Sequence, residues 1–203
     1  MKKLITILAS IPITMLSQQF PEAPICFYVL KNAIAAFVCK GGYKTLLAMD
    51  MKTHASIFSC DHKIVITKVG YRAWKPGIRY KISFWEPGKE QPLASCTITP
   101  QNTTDIQFFS LENPIVVHPN ITYCISRTYI SGGPNHDIND YIGWLSNKSG
   151  TEICPLKQNI VTFSNGFFSD DINPIKSTDA ANITTNSLLP IIDFEYTIFP
   201  CHS

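Results

Sequence analysis

Residues 80–99 read YKISFWEPGKEQPLASCTIT. The stretch opens with a period-two run, in which Tyr80, Ile82 and Phe84 fall on one face and Lys81, Ser83 and Trp85 on the other. Aromatic and β-branched residues suit a pleated, half-buried strand. EPGKEQ (86–91) breaks the run with turn residues, and PLASCTIT (92–99) returns. The pattern predicts a β-hairpin with Trp85 at the rim of its turn. That indole is expected to cover the sheet edge or the core.

The same unit recurs on both sides. KIVITKVGYRAW (63–74) is a strand-like run that stops at the turn KPG. After the hairpin come IQFFSL (106–111), NPIVVH (113–118) and ITYCISRTYI (121–130). Near the C-terminus PIIDFEYTIF (190–199) alternates, with Ile192, Phe194, Tyr196 and Ile198 facing a core. Asp193, Glu195 and Thr197 then face outward, and the two carboxylates read as solvated side chains. The region carries no convincing amphipathic helix. Roughly eight to ten strands at ten-residue spacing predict an all-β fold, an antiparallel β-sandwich that is jelly-roll-like.

The composition fits a folded domain. The chain has 203 residues, 45% of them hydrophobic and 16% charged. At this length one core can bury about 70% of the unfolded surface. The formal net charge is +2, with no basic cluster longer than a pair, so no phosphate-backbone footprint is present and nucleic acid is not an expected partner.

Lys2 and Lys3 precede an uncharged apolar run over 4–16, the pattern of a secretory signal peptide. The run is too short to span a membrane. Residues 1–23 are therefore expected to be a signal peptide, cleaved near Ser17 or Ala23, with a single sandwich domain over 24–203. LSQQF follows the apolar run where a lipoprotein would place cysteine, which argues against a lipid anchor. A second apolar patch, 25–39, is interrupted by Lys31 and Asn32 and reads as the first strand of the domain. The expected location is outside the cytoplasm: periplasmic, cell-surface or secreted.

Seven cysteines stand at 26, 39, 60, 96, 124, 154 and 201, all beyond either cleavage point. None forms a C-x-x-C pair, so the spacing suits neither structural zinc nor a thioredoxin-type site. An odd count leaves at least one thiol free. Cys96 alternates with Ala94 and Ile98 and reads as a buried small hydrophobe, whereas Cys124 shares its face with Ser126 and Thr128.

Four segments carry a family resemblance: ITKVGYRAW (66–74), YKISFWEPGKEQPLASCTI (80–98), FFSLENPIVVHPNITYCIS (108–126) and IIDFEYTIF (191–199). In order and character they resemble a family of uncharacterised β-sandwich domains of bacterial secreted and cell-surface proteins. The resemblance covers about residues 66–199 and implies a jelly-roll-like sandwich, sometimes attached to carbohydrate-active or adhesive proteins. It implies no known activity. The number of cysteines departs from the family's pattern.

Catalytic motifs are missing from the chain. The five histidines form no H-E-x-x-H helix, and there is no nucleophile elbow or Gly-rich phosphate loop. The loop HDINDY (136–141) is the most suggestive polar cluster. Asp137, Asn139 and Asp140 supply hard oxygen ligands of the kind calcium prefers, without the full EF-hand pattern. They also suit a plain solvated turn. Tyr129, Tyr141 and Trp144 flank the loop, and aromatic faces beside Asp and Asn suit sugar rings, although core packing would explain them too. Four N-x-S/T sequons, at Asn102, Asn120, Asn147 and Asn182, decide little.

The leading expectation is a non-catalytic module that binds extracellular glycan or a surface polymer, or acts in adhesion. Its expected ligand residues are Tyr129, Asp137, Asn139, Asp140, Tyr141 and Trp144, with no cofactor unless calcium. A hydrolase with a spatially assembled Cys/His or carboxylate site, and a structural envelope protein without ligand, are the alternatives.

Overall fold

The computed structural model describes residues 31–33, 47–48, 52–73, 75–131, 141–142, 145–146, 153–169, 183–185, 187–188 and 190–199. The expected signal peptide, 1–23, lies outside them. Every element among the described residues is a β-strand. The smaller sheet runs β1 (Lys31–Asn32), β15 (Ile192–Ile198), β4 (Ile64–Tyr71), β7 (Gln107–Val117). The larger runs β11 (Leu156–Gln158), β12 (Val161–Ser169), β3 (Thr53–Cys60), β8 (Tyr123–Ser131), β5 (Arg79–Trp85), β6 (Ala94–Ile98). A short β13 (Ile183–Thr184) also pairs with β12. Two further two-residue ladders join β2 (Leu47–Ala48) to β9 (Tyr141–Ile142) and β10 (Leu145–Ser146) to β14 (Ser187–Leu188).

Strand order makes this a jelly roll. Count β1, β3, β4, β5, β6, β7, β8 and β15 as first to eighth. The smaller sheet then reads first, eighth, third, sixth, and the larger reads second, seventh, fourth, fifth. The chain crosses between sheets at most connections, and all pairings are antiparallel. The expected β-sandwich is the observed one. The apolar patch at 25–39 contains the first strand, and no helix among the described residues is long and apolar enough to cross a membrane.

The core forms where alternate side chains of both sheets meet. Phe58 of β3 lies 5.1 Å from Phe194 of β15, and Tyr71 of β4 meets Tyr80 of β5 edge-on at 4.9 Å. The hairpin keeps the period-two reading, since Tyr80, Ile82 and Phe84 all point into this core. Gly88 closes its turn at φ +79°, with Lys89 N–H bonded to the Glu86 carbonyl at 3.2 Å. Pro87 and then a positive-φ Gly88 are what a type II turn requires.

Trp85 belongs to neither the turn rim nor the inter-sheet core. It points to the opposite face of the larger sheet, where it is buried in a second cluster with Ala55, Cys124 and Phe167. Its indole N–H donates to Ser126 Oγ at 2.9 Å, and Ser126 in turn donates to the Ser83 carbonyl at 3.4 Å. The small polar face predicted around Cys124 is real, yet it is covered: Ser126, Ser83 and Thr128 are all buried.

Two charged residues lie in the interior. Asp193 is buried rather than solvated. Its strand is interior to the smaller sheet, between β1 and β4, and Oδ1 accepts from the backbone N–H groups of Ala33 and Phe194 at 2.8 and 2.7 Å. That carboxylate ties the end of β1 to β15. Glu195 meets Lys68 at 3.0 Å on the outer face. Arg127 is fully buried in the core, its guanidinium 4.4 Å from the Tyr80 ring centroid and its Nε donating to Tyr71 Oη at 3.1 Å. Two aromatic rings and a phenol thus stand in for much of its lost hydration.

Candidate functional site

The open side of the sandwich lies where β6 edges the larger sheet and β7 edges the smaller. At one end of that side three segments converge on a groove of about 320 Å³. The β5–β6 hairpin supplies Glu86 and Leu93, β7 and the residue after it supply Asn113, Pro114, Ile115, Val116 and His118, the next turn supplies Ile121, and the start of β8 supplies Tyr123.

Local structure explains each contribution. Ile115 and Val117 point into the core, so pleating turns Val116 outward, where it is 41% exposed. Leu93, 40% exposed, is held at the facing rim by its N–H on the Phe84 carbonyl at 2.8 Å. The β4–β7 register jumps from Ile66 opposite Ile115 to Lys68 opposite Ser110. Four residues, 111–114, therefore stand opposite Thr67 alone; Leu111 stays in the core while 112–114 bulge out, which carries Asn113 and Pro114 to the groove. Proline is tolerated there because an edge bulge needs no N–H from it.

The floor is Ile115 and Tyr123, both buried. Tyr123 Oη accepts the backbone N–H of His118 at 3.2 Å. Burial raises the Tyr123 phenol; the His118 N–H opposes that rise and the Glu86 carboxylate adds to it. The negative field of Glu86 therefore reaches the floor. Four aliphatic side chains, Leu93, Pro114, Val116 and Ile121, line the groove beside one carboxylate, one amide and one imidazole. The volume falls at the lower end of the range for small-molecule sites, about 300–1,000 Å³.

Nucleophilic chemistry finds little support in the described thiols. Cys60 lies near His118, but its Sγ meets the His118 carbonyl at 3.6 Å. Burial first, then the Asp61 carboxylate, push the Cys60 thiol up to about 11, and burial alone takes Cys96 to about 11. Burial raises Cys124 further. Thiols held protonated are poor nucleophiles. The buried His54 is pushed the other way, to about 3, by desolvation and by the Arg127 guanidinium, so it stays neutral at physiological pH.

The expected ligand residues are placed only in part. Asp137, Asn139, Asp140 and Trp144 lie outside the described residues. Tyr141 opens β9, its backbone opposite Ala48. Tyr129 sits in β8, 8% exposed, with its ring edge-on to Tyr80 at 6.5 Å. Among the described residues no group of three or more His, Cys, Asp or Glu side chains could hold a metal ion. Sequence reading missed the groove. Its one signal was an apolar pair across a turn, Val116 and Ile121 on either side of VHPN.

No family model matches the chain, and no curated protein matches it.

Proposed function

We propose that the protein is an exported, non-catalytic β-sandwich module that binds a saccharide of extracellular or surface material, and that the groove between the β5–β6 turn and β7 is where it binds. The observation that carries this reading is the groove's make-up: aliphatic walls at Leu93 and Val116 beside the Glu86 carboxylate and the Asn113 amide. A sugar ring offers an apolar C–H face and a rim of hydroxyls. Aliphatic walls take the first, while a carboxylate acceptor and an amide, which both donates and accepts, take the second. Fold alone would not carry the argument, since sandwiches host many functions. Export is supported by Lys2–Lys3 and the apolar run that follows.

A glycan-array screen tests the reading, with the full chain and its Val116→Asp variant, each with and without calcium. The wild type is expected to bind at least one glycan class without calcium. Val116→Asp is expected to lose that binding at an unchanged melting temperature, because Val116 faces outward. Binding that survives the substitution, or that needs calcium, moves the site away from the groove and toward the 136–141 loop.

A further inference from the structure

The groove's charge is one-sided. Glu86 supplies a carboxylate, while no lysine or arginine lines the groove. The same carboxylate acts on the Tyr123 phenol at the floor, so its field is not confined to the rim. A carboxylate-bearing ligand seated on Val116 and Leu93 would bring a second negative charge into that field, with no lysine or arginine in the lining to meet it. An ammonium group on the ligand would instead find a partner, and charge-assisted hydrogen bonds are the stronger kind. Asn113 and His118 serve neutral hydroxyls in either case.

We infer that the groove selects amino-bearing and uncharged sugars and excludes uronic-acid sugars, with Glu86 as the residue that sets the choice. The inference rests on the saccharide reading of the groove. Titration calorimetry of the full chain with three oligosaccharides of equal length tests it: a glucosamine oligomer, an N-acetylglucosamine oligomer and a glucuronate oligomer. The expected order is glucosamine first, the neutral oligomer about tenfold weaker, as for loss of a hydrogen bond to a charged group, and glucuronate unbound. Glu86→Gln should bring the first two together and admit the third. Equal binding of glucuronate and the neutral oligomer by the wild type, or an order untouched by Glu86→Gln, overturns the selectivity alone. Binding of none of the three overturns the saccharide reading with it.

Discussion

The backbone N–H of His118 donates to the phenolic oxygen of Tyr123 at 3.2 Å, across the turn that joins β7 to β8. The bond fixes the groove's floor against its β7 wall. Asn120, at φ +62°, lets the chain reverse between them, and its N–H bonds the Cys60 carbonyl at 3.1 Å. Tyr123→Phe removes the acceptor and leaves the ring in place. It should cost about 1 kcal/mol of stability. It should also weaken groove binding, because the His118 end of β7 is no longer held. Chemical denaturation and the array signal, read on one variant, check both.

Trp85 makes a similar pairing on the far face, with its indole N–H on Ser126 Oγ at 2.9 Å. Trp85→Phe keeps much of the packing against Ala55 and Phe167 but loses the bond. A loss of about 1–2 kcal/mol is expected in urea unfolding, against about 3–5 kcal/mol for Trp85→Ala. Equal losses would mean that the hydrogen bond contributes nothing.

Gly70 has no room for a side chain. A Cβ there would stand 2.7 Å from both Ile106 Cγ2 and Phe108 Cε1. Gly70→Ala should destabilise by about 1–3 kcal/mol. Adding Phe108→Leu should recover part of that, so the double mutant should be more stable than the sum of the single changes predicts.

His54 gives the fold an acid-side dependence. Its folded value, about 3, lies below the ordinary 6.5. From pH 6.5 downward the unfolded chain binds a proton that the folded chain refuses, so stability falls as pH falls. For one group the slope approaches about 1.4 kcal/mol per pH unit. Above pH 6.5 both states are neutral at this site and the term vanishes. His54→Phe should flatten the profile between pH 6 and pH 4 relative to wild type, as melting scans in that window would show.

The hairpin and the closing strand show where sequence reading succeeds and where it stops. Tyr80, Ile82 and Phe84 alternate because β5 pairs with both neighbours without a shift from Tyr80 onward, so period two survives folding. In β15 the core face also survives, with Ile192, Phe194 and Tyr196 all buried, because the extra residue at its register shift is Thr67 on β4. The burial of Asp193, whose Oδ1 accepts the Ala33 N–H at the end of β1, leaves no mark in local composition. Trp85 was legible as a strand residue, but the second buried face it serves was not, since that face reads as exposed Ser, Thr and Cys. The groove was the least legible part. Glu86, Asn113 and Ile121 come from three separate turns and bulges that only the sandwich's open edge brings together.

This edge groove is the proposed ligand surface. Amide shift mapping by NMR, on the full chain titrated with a neutral oligosaccharide that it binds on the array, tests it most directly. Perturbations are expected to cluster at Glu86, Leu93, Val116, His118 and Ile121. Shifts concentrated over residues 129–146, with the groove amides unmoved, would contradict it.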